Sequence, residues 1–93
     1  MVTVIPGQTV EQRAGETVVY ELAKDLWGRG DGGELLVETI RGVALEAKQV
    51  FHDQKVAHIV VSGGQAGGKY EIVRQVSAKN ETERKSFRVR VIG

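Results

Sequence analysis

The residue pattern closest to a chemical motif is a glycine-rich stretch, Gly63-x-x-x-x-Gly68-Lys69. A phosphate-binding loop of this spacing surrounds phosphates with backbone N–H groups, places its lysine on the terminal phosphates and binds Mg²⁺ through a following hydroxyl. Tyr70 stands where that hydroxyl belongs, and the next residues alternate as a strand instead of beginning a helix. We therefore predict a glycine-rich turn at 62–70. A small nucleotide-binding protein that uses the 63–69 loop remains an alternative function.

The histidines and paired acidic residues give little support for catalysis or metal binding. His52 is followed by Asp53, but no third ligand has metal-site spacing. His58 lies in a strand-like run and is predicted to be structural, and no Ser/His/Asp arrangement is signalled. Glu81 and Glu83 lie in a charged stretch and are expected to face water. We predict no enzyme activity, no catalytic residue, no metal and no cofactor.

Composition places the chain among small globular domains. It has 93 residues, 41% hydrophobic and 27% charged, which predicts one domain over 1–93. Thirteen Lys and Arg against 12 Asp and Glu give a net charge of +1, which argues against nucleic-acid binding. The absence of cysteine excludes disulfides and thiolate zinc sites. No apolar run has membrane-spanning length, and the initial methionine suggests a complete reading frame whose product is used without secretion.

Apolar residues that alternate with polar ones predict an all-β domain. Residues 70–78 and 85–92 form two such runs, and the polar stretch between them predicts an antiparallel hairpin. Further predicted strands cover 55–62, 18–22 and, as a short apolar run before Pro6, residues 2–5.

The segment 34–54 is ambiguous between helix and strand. Its apolar residues recur at spacings of three and four, which favours a helix: Leu36, Ile40, Val43, Ala47, Val50 and Phe51. Gly42 interrupts that pattern and would cost about 1 kcal/mol relative to Ala inside a helix.

Two C-terminal stretches carry a resemblance to a known family. SGGQAGGKYEIV (62–73) and ETERKSFRVRVIG (81–93) resemble small immunoglobulin-like domain proteins encoded in the structural gene clusters of tailed bacteriophages. Asp25-Leu26-Trp27 is similar to an Asp-Trp-containing segment near the start of that family. The stretch from Gly42 to Phe51 is similar to its glycine-led central strand, with Glu, Ala and Lys replacing the usual Thr and Ser. The matching C-terminal positions are Ser62, Gly63, Gly64, Ala66, Gly67, Tyr70, Ile72, Glu83, Arg84, Ser86, Phe87, Val89 and Val91.

The resemblance implies an immunoglobulin-like antiparallel β-sandwich. Residues 55–62, 70–78 and 85–92 then correspond to strands E, F and G, and 34–54 is predicted to be mainly strand, with a short helix as the alternative. Gly68 and Tyr70 are predicted to form a structural corner, in which the tyrosine hydroxyl bonds back to the backbone.

The function implied is that of a non-enzymatic virion structural protein, made in the host cytoplasm. We expect capsid decoration or cement, in which the domain docks on assembled head subunits through loops and sheet edges. The implied partners are phage capsid or neck proteins, in a homo-oligomer or symmetric array, with no nucleic acid or membrane. The first alternative is a head–tail joining or tail adhesion domain that contacts host carbohydrate, although an aromatic content of 5% argues mildly against a sugar platform.

The candidate interface combines large side chains with a basic cluster. Trp27 is expected to be a core anchor first and an interface residue second. Arg29-Gly30-Asp31 spells an integrin-recognition tripeptide, but its glycine-rich surroundings favour ordinary turn chemistry. A basic cluster is expected either to form the polar rim of an interface or to be a solvated strand face. It consists of Arg84, Lys85, Arg88 and Arg90. The candidates are Trp27, Arg29, Phe51, Arg84, Arg88 and Arg90.

Overall fold

The computed structural model describes residues 2–23, 26–27, 33–52, 55–78 and 80–93, and for 51, 52, 55–57 and 78 it describes the backbone alone. Eight strands cover most of this part of the chain. They are β1 (Val2–Val4), β2 (Thr9–Arg13), β3 (Thr17–Leu22), β4 (Glu34–Arg41), β5 (Leu45–His52), β6 (Lys55–Gly63), β7 (Lys69–Ala78) and β8 (Glu81–Ile92).

The strands form two four-stranded sheets that pack as a sandwich. The first sheet has the order β1-β3-β6-β5 and the second sheet the order β2-β8-β7-β4. The all-β prediction is confirmed, while the immunoglobulin-like topology stays a prediction. Residues 34–41 and 45–52 are strands, as predicted, and none of the described residues is helical. Cross-strand pairing of β4 with β7 and of β5 with β6 outweighs the helical spacing of the apolar residues.

The N-terminal strands depart from the prediction. A turn, in which the Gln8 amide donates to the Ile5 carbonyl, reverses the chain between β1 and β2, so each joins a different sheet. β1 pairs with β3, and β2 with β8, in parallel, so the predicted antiparallel sandwich contains two parallel pairs. Parallel pairing needs a connection of about a dozen residues or more. Residues 5–16, which include β2, connect β1 to β3, and most of the chain lies between β2 and β8.

The C-terminal hairpin is longer than predicted. β7 and β8 pair antiparallel through ten successive positions, from Lys69 opposite Arg90 to Ala78 opposite Glu81. The polar stretch between the two predicted strands therefore lies mostly in β8, and Asn80, with a φ of 69°, lies in the turn. Backbone ladder bonds do not require apolar side chains, so a polar hairpin tip extends past the core.

Three aromatic rings join the sheets at the centre of the core. The ring of Phe87 on β8 lies 5.4 Å from the ring of Tyr20 on β3 and 6.0 Å from that of Trp27, the latter edge to face at 89°. Phe87 is fully buried. The surrounding core consists of Val4, Val10, Leu22, Leu45, Ile59, Val61, Tyr70, Ile72, Val89 and Val91.

A buried glutamine explains why β2 was not predicted. Val10 is the only apolar residue of this strand, and the second inward position is Gln12, which is 2% exposed. The Gln12 amide donates to the carbonyls of Glu16 and Val61 at 2.8 and 3.1 Å, and its Oε1 accepts the Tyr20 hydroxyl at 2.9 Å. Hydrogen bonds offset the cost of burying this side chain, and a pattern of apolar residues does not detect such a position.

The buried Tyr20 phenol makes stability depend on alkaline pH. Burial first, and then the nearby Glu16 carboxylate, raises the Tyr20 pKa from 10.0 to about 12. The raised pKa favours the neutral phenol in the folded state, so its stabilising contribution is complete below pH 10 and is lost as pH rises from 10 to 12. We expect the wild type to lose roughly 2 kcal/mol of unfolding free energy by pH 12 through this group. Urea unfolding of wild type and Tyr20→Phe across this range isolates the effect, because lysine titration is common to both, and equal slopes against pH would contradict it.

Candidate interaction surface

Three arginines share one exposed face of the second sheet. Phe87, Val89 and Val91 of β8 point into the core, so the intervening side chains point outward. Arg84, Arg88 and Arg90 are all exposed on this outer side, which we call the arginine face. The alternation in the sequence predicts this shared orientation.

Acidic residues from neighbouring strands lie among these arginines. An Arg84 Nη is 3.7 Å from a Glu38 carboxylate oxygen, and an Arg90 Nη is 4.0 Å from one of Glu11. Arg88 lies opposite Glu71 in the β7–β8 ladder. Ion pairs as exposed as these contribute about 0–1 kcal/mol each, so the face is a solvated, mixed-charge surface that remains available to a partner.

Lys85 does not belong to the arginine face. It is one residue out of phase with the arginines, and its Nζ donates to the Leu26 carbonyl at 2.8 Å and lies 2.8 Å from a Glu83 carboxylate oxygen. The predicted cluster therefore divides into three arginines on one side of β8 and a lysine that binds the Leu26 backbone on the other.

A shallow depression lies in the arginine face beside Arg84. Val73, which is almost fully buried, lines it together with Glu38 and Glu71. The Ser86 hydroxyl donates to Glu71 Oε1 at 2.7 Å across it. Its volume of about 170 Å³ is below the roughly 300–1,000 Å³ of pockets that enclose small organic ligands. The depression therefore suits a protruding partner side chain better than a free ligand.

The other interface candidates differ in position. Trp27 is 4% exposed, and its indole N–H donates to the Val4 carbonyl at 2.9 Å. The core prediction for Trp27 is confirmed, because the ring is enclosed by core residues, and the interface alternative stays a prediction. Arg29, with the rest of Arg29-Gly30-Asp31, and the Phe51 side chain lie outside the described residues.

Gly68 and Tyr70 meet at the start of β7, where the tyrosine hydroxyl bonds to the backbone. The Tyr70 hydroxyl donates to the Val43 carbonyl at 2.5 Å, so the strand is bonded to the β4–β5 connection and not to its own preceding loop. A Cβ at Gly68 would lie 2.6 Å from that hydroxyl and 2.8 Å from the Gln65 carbonyl oxygen. Gly68 is required here because the tyrosine ring occupies the space of a side chain.

Removing the Tyr70 hydroxyl tests this corner. Tyr70→Phe is expected to cost about 1 kcal/mol of unfolding free energy, because the Val43 carbonyl loses its side-chain donor at a partly buried site that water can reach. Urea denaturation of wild type and variant measures the difference. Unchanged stability would show that the bond does not hold the corner.

The glycine stretch contains the predicted turn, which is shorter than 62–70 and covers 64–68 between β6 and β7. Gly63, Gly64 and Gly67 have φ near +87°, a region that favours glycine. The Gly67 amide donates to the Val91 carbonyl at 2.8 Å and the Gly68 amide to the Gln65 carbonyl at 2.8 Å. Two amides that a phosphate loop would offer to its ligand are thus bonded within the protein, and Lys69 begins a strand.

Each sheet ends in two strands that pair with one neighbour only among the described residues. β1 and β5 end the first sheet, and β2 and β4 end the second. β1 pairs with Tyr20–Leu22 only, so the first half of β3 extends past it beside an open notch that Val2 borders. Unpaired edges of this kind accept strands from partners.

The described residues contain neither a metal-ligand cluster nor a membrane-spanning helix. Within these ranges, no three His, Asp or Glu residues form a group that could hold a metal ion. His58 is partly buried on β6, and the His52 side chain is outside the described set. None of the described segments forms a helix that is long and apolar enough to cross a membrane.

Sequence reasoning missed the acidic half of the arginine face. Glu71 lies between Tyr70 and Ile72, so the period-two pattern of this strand predicts that Glu71 points outward. The position of Glu11 was not predictable, because it lies on the unpredicted β2 and reaches Arg90 only through the β2–β8 pairing.

No family model, curated protein or solved structure matches the chain.

Proposed function

We propose that this chain is a non-enzymatic structural protein of a tailed-phage virion, a decoration or cement protein that docks on assembled head subunits. The observation that carries the proposal is the β7–β8 hairpin. The two stretches that bear the family resemblance contribute its paired strands, with one side in the core and an exposed, charged outer side.

The shape of the domain supports a role in bridging subunits. Its principal extents are 41 × 25 × 18 Å, so its long axis offers contact to more than one neighbouring subunit. A small domain supplies only a weak contact at each point, and an array on a symmetric shell multiplies such contacts.

The arginine face is the proposed docking face toward head subunits. Its exposed guanidinium groups form paired hydrogen bonds with partner carboxylates, and they can exchange their weak intrachain partners for these. The partner we propose is an acidic strip on an assembled head subunit. Binding should therefore weaken as salt concentration rises.

Gold labelling of purified phage particles with antiserum against the chain tests the proposal. Label spread over the capsid supports decoration. Label confined to the neck or tail overturns decoration in favour of head–tail joining or adhesion. No label, with the chain also absent from digests of the particles, overturns a virion role altogether.

A co-sedimentation assay tests the docking face. Arg88→Glu places two carboxylates opposite each other at Glu71 and is expected to reduce binding of the purified chain to stripped particles by about tenfold. Thr17→Glu is the control, because it adds negative charge to an exposed position on the first sheet. Equal loss in both variants, or none in Arg88→Glu, would exclude the arginine face as the docking surface.

A further inference from the structure

β5 carries two charged residues that have no opposite charge across the strand ladder, and no described strand pairs with its outer edge. Among the described residues, β5 pairs only with β6, and it ends the first sheet. Glu46 lies opposite Ser62, and Lys48 lies opposite Val60. Both charged residues are exposed, as is Val50 at 43%. The strand therefore presents an acid and a base two residues apart at a free edge.

The charges on β5 are complementary to a second copy of the same strand. If two β5 strands run antiparallel about a twofold axis at Ala47, Glu46 of each copy lies opposite Lys48 of the other. Opposite charges in directly facing cross-strand positions stabilise a pair of strands, and like charges destabilise it. An axis at Glu46 or at Lys48 would place that residue opposite its own copy. Of the three registers, only the one centred on Ala47 pairs both charges.

We propose that two copies of this chain dimerise by antiparallel pairing of their β5 edges about Ala47. The two first sheets then form one continuous eight-stranded sheet, and the interface is isologous, as twofold symmetry requires. Val50, 43% exposed in the single chain, lies just beyond the paired residues 45–49, beside Ala44 of the second copy. Exposed edge strands often carry a lysine that opposes pairing with another strand. In the register about Ala47, Glu46 of each copy lies opposite Lys48 of the other and offsets this repulsion.

Other edges fit self-pairing less well. β2 is five residues long, and its Glu11 already faces Arg90 across β8. On β4, pairing about Leu36 would place Glu34 opposite Glu38 of the second copy. β5 equals β4 in length, and the register about Ala47 pairs residues 45–49 of the two copies with complementary charges.

Charge reversal with mixing tests the dimer. Sedimentation velocity over a concentration series is expected to show a monomer–dimer equilibrium for the wild type. Glu46→Lys and Lys48→Glu should each raise the dimer dissociation constant by about tenfold, because each places like charges in both pairs. An equimolar mixture of the two variants should regain dimers, since lysines on one chain then face glutamates on the other. The double variant should also recover the wild-type constant.

Two controls carry matched changes in net charge on other strands. Glu34→Lys equals Glu46→Lys in net charge, and Arg41→Glu equals Lys48→Glu; both alter exposed residues of β4. Neither is expected to change the dissociation constant. A wild type that is monomeric throughout, controls that act like the β5 variants, or a mixture that fails to associate would each overturn the proposal.

A cysteine at the symmetry axis tests the register. The chain has no cysteine, so Ala47→Cys introduces one thiol, and facing residues in an antiparallel pair have Cα atoms about 4.5–5.5 Å apart, within disulfide range. Ala47→Cys should form a disulfide-linked dimer on mild oxidation. Val50→Cys should not, because the two copies of residue 50 lie six residues apart along the ladder. Equal cross-linking of both would overturn the register.

The dimer and the virion role are tested by independent experiments, so either can be disproved without the other. Sedimentation and cross-linking use the purified chain alone, whereas labelling uses particles. A β5 dimer would leave the arginine face of both copies free, since that face belongs to the other sheet.

Discussion

Phe87→Ala is expected to remove about 3–5 kcal/mol of unfolding free energy. The side chain is fully buried, lies opposite Ile72 in the β7–β8 ladder and contacts the rings of Tyr20 and Trp27. Its loss removes buried apolar surface and the contacts with the Tyr20 and Trp27 rings, and it leaves a cavity between the sheets. A domain of this size has about 5–15 kcal/mol in total, so the variant should unfold at much lower urea.

Two neighbouring substitutions control for this interpretation. Phe87→Leu retains much of the apolar volume and should lose clearly less stability. Ile92→Ala truncates an exposed residue on the same strand, 39% accessible, and should change stability by about 0.5 kcal/mol or less. If Phe87→Ala costs no more than Ile92→Ala in urea denaturation, the ring does not join the sheets as described.

Gly68→Ala is expected to be the second most damaging change, at about 2–3 kcal/mol. A methyl group would approach the Tyr70 hydroxyl to 2.6 Å and the Gln65 carbonyl oxygen to 2.8 Å. The ring is fully buried, and the carbonyl is backbone that accepts the Gly68 amide, so neither moves away cheaply. The substitution should therefore break the turn, the Tyr70–Val43 bond, or both.

Gly67→Ala is the matched control for the steric argument. Gly67 lies in the same turn with a φ of +87°, but no atom lies within 4 Å of its added Cβ. Alanine there carries only the conformational cost of the left-handed region, about 1 kcal/mol. Thermal and urea unfolding of both variants should rank Gly68→Ala as the less stable, and the reverse order would contradict steric exclusion by Tyr70.

The strands that alternate regularly could be predicted from the sequence. Val89 and Val91 alternate with Arg88 and Arg90, so one pattern predicts both the strand and the face on which the arginines lie. β4 and β5 required the family resemblance, because Leu36, Ile40 and Val43 have helical spacing. Their strand state is decided by cross-strand partners that are distant in sequence.

Features that depend on a polar core group or on long-range register could not be predicted in the same way. β2 has inward Gln12, whose burial makes sense only once Tyr20 and the Val61 carbonyl are known to surround it. The candidate site shows the same limit. The sequence identifies each arginine of the arginine face as a candidate. It does not predict that Glu11 and Glu38 lie beside them, because it does not specify which strands are neighbours.

The parallel pairing of β2 with β8 has a mechanical consequence. These strands lie near opposite ends of the chain and match through five consecutive positions, Thr9–Arg13 against Arg88–Ile92. Once the three-residue β1 has peeled away, tension between the termini pulls β2 and β8 lengthwise in opposite directions. Their hydrogen bonds then bear the load together in shear instead of opening one at a time. The second sheet is thereby built to resist stretching along the direction in which a tethered domain is pulled.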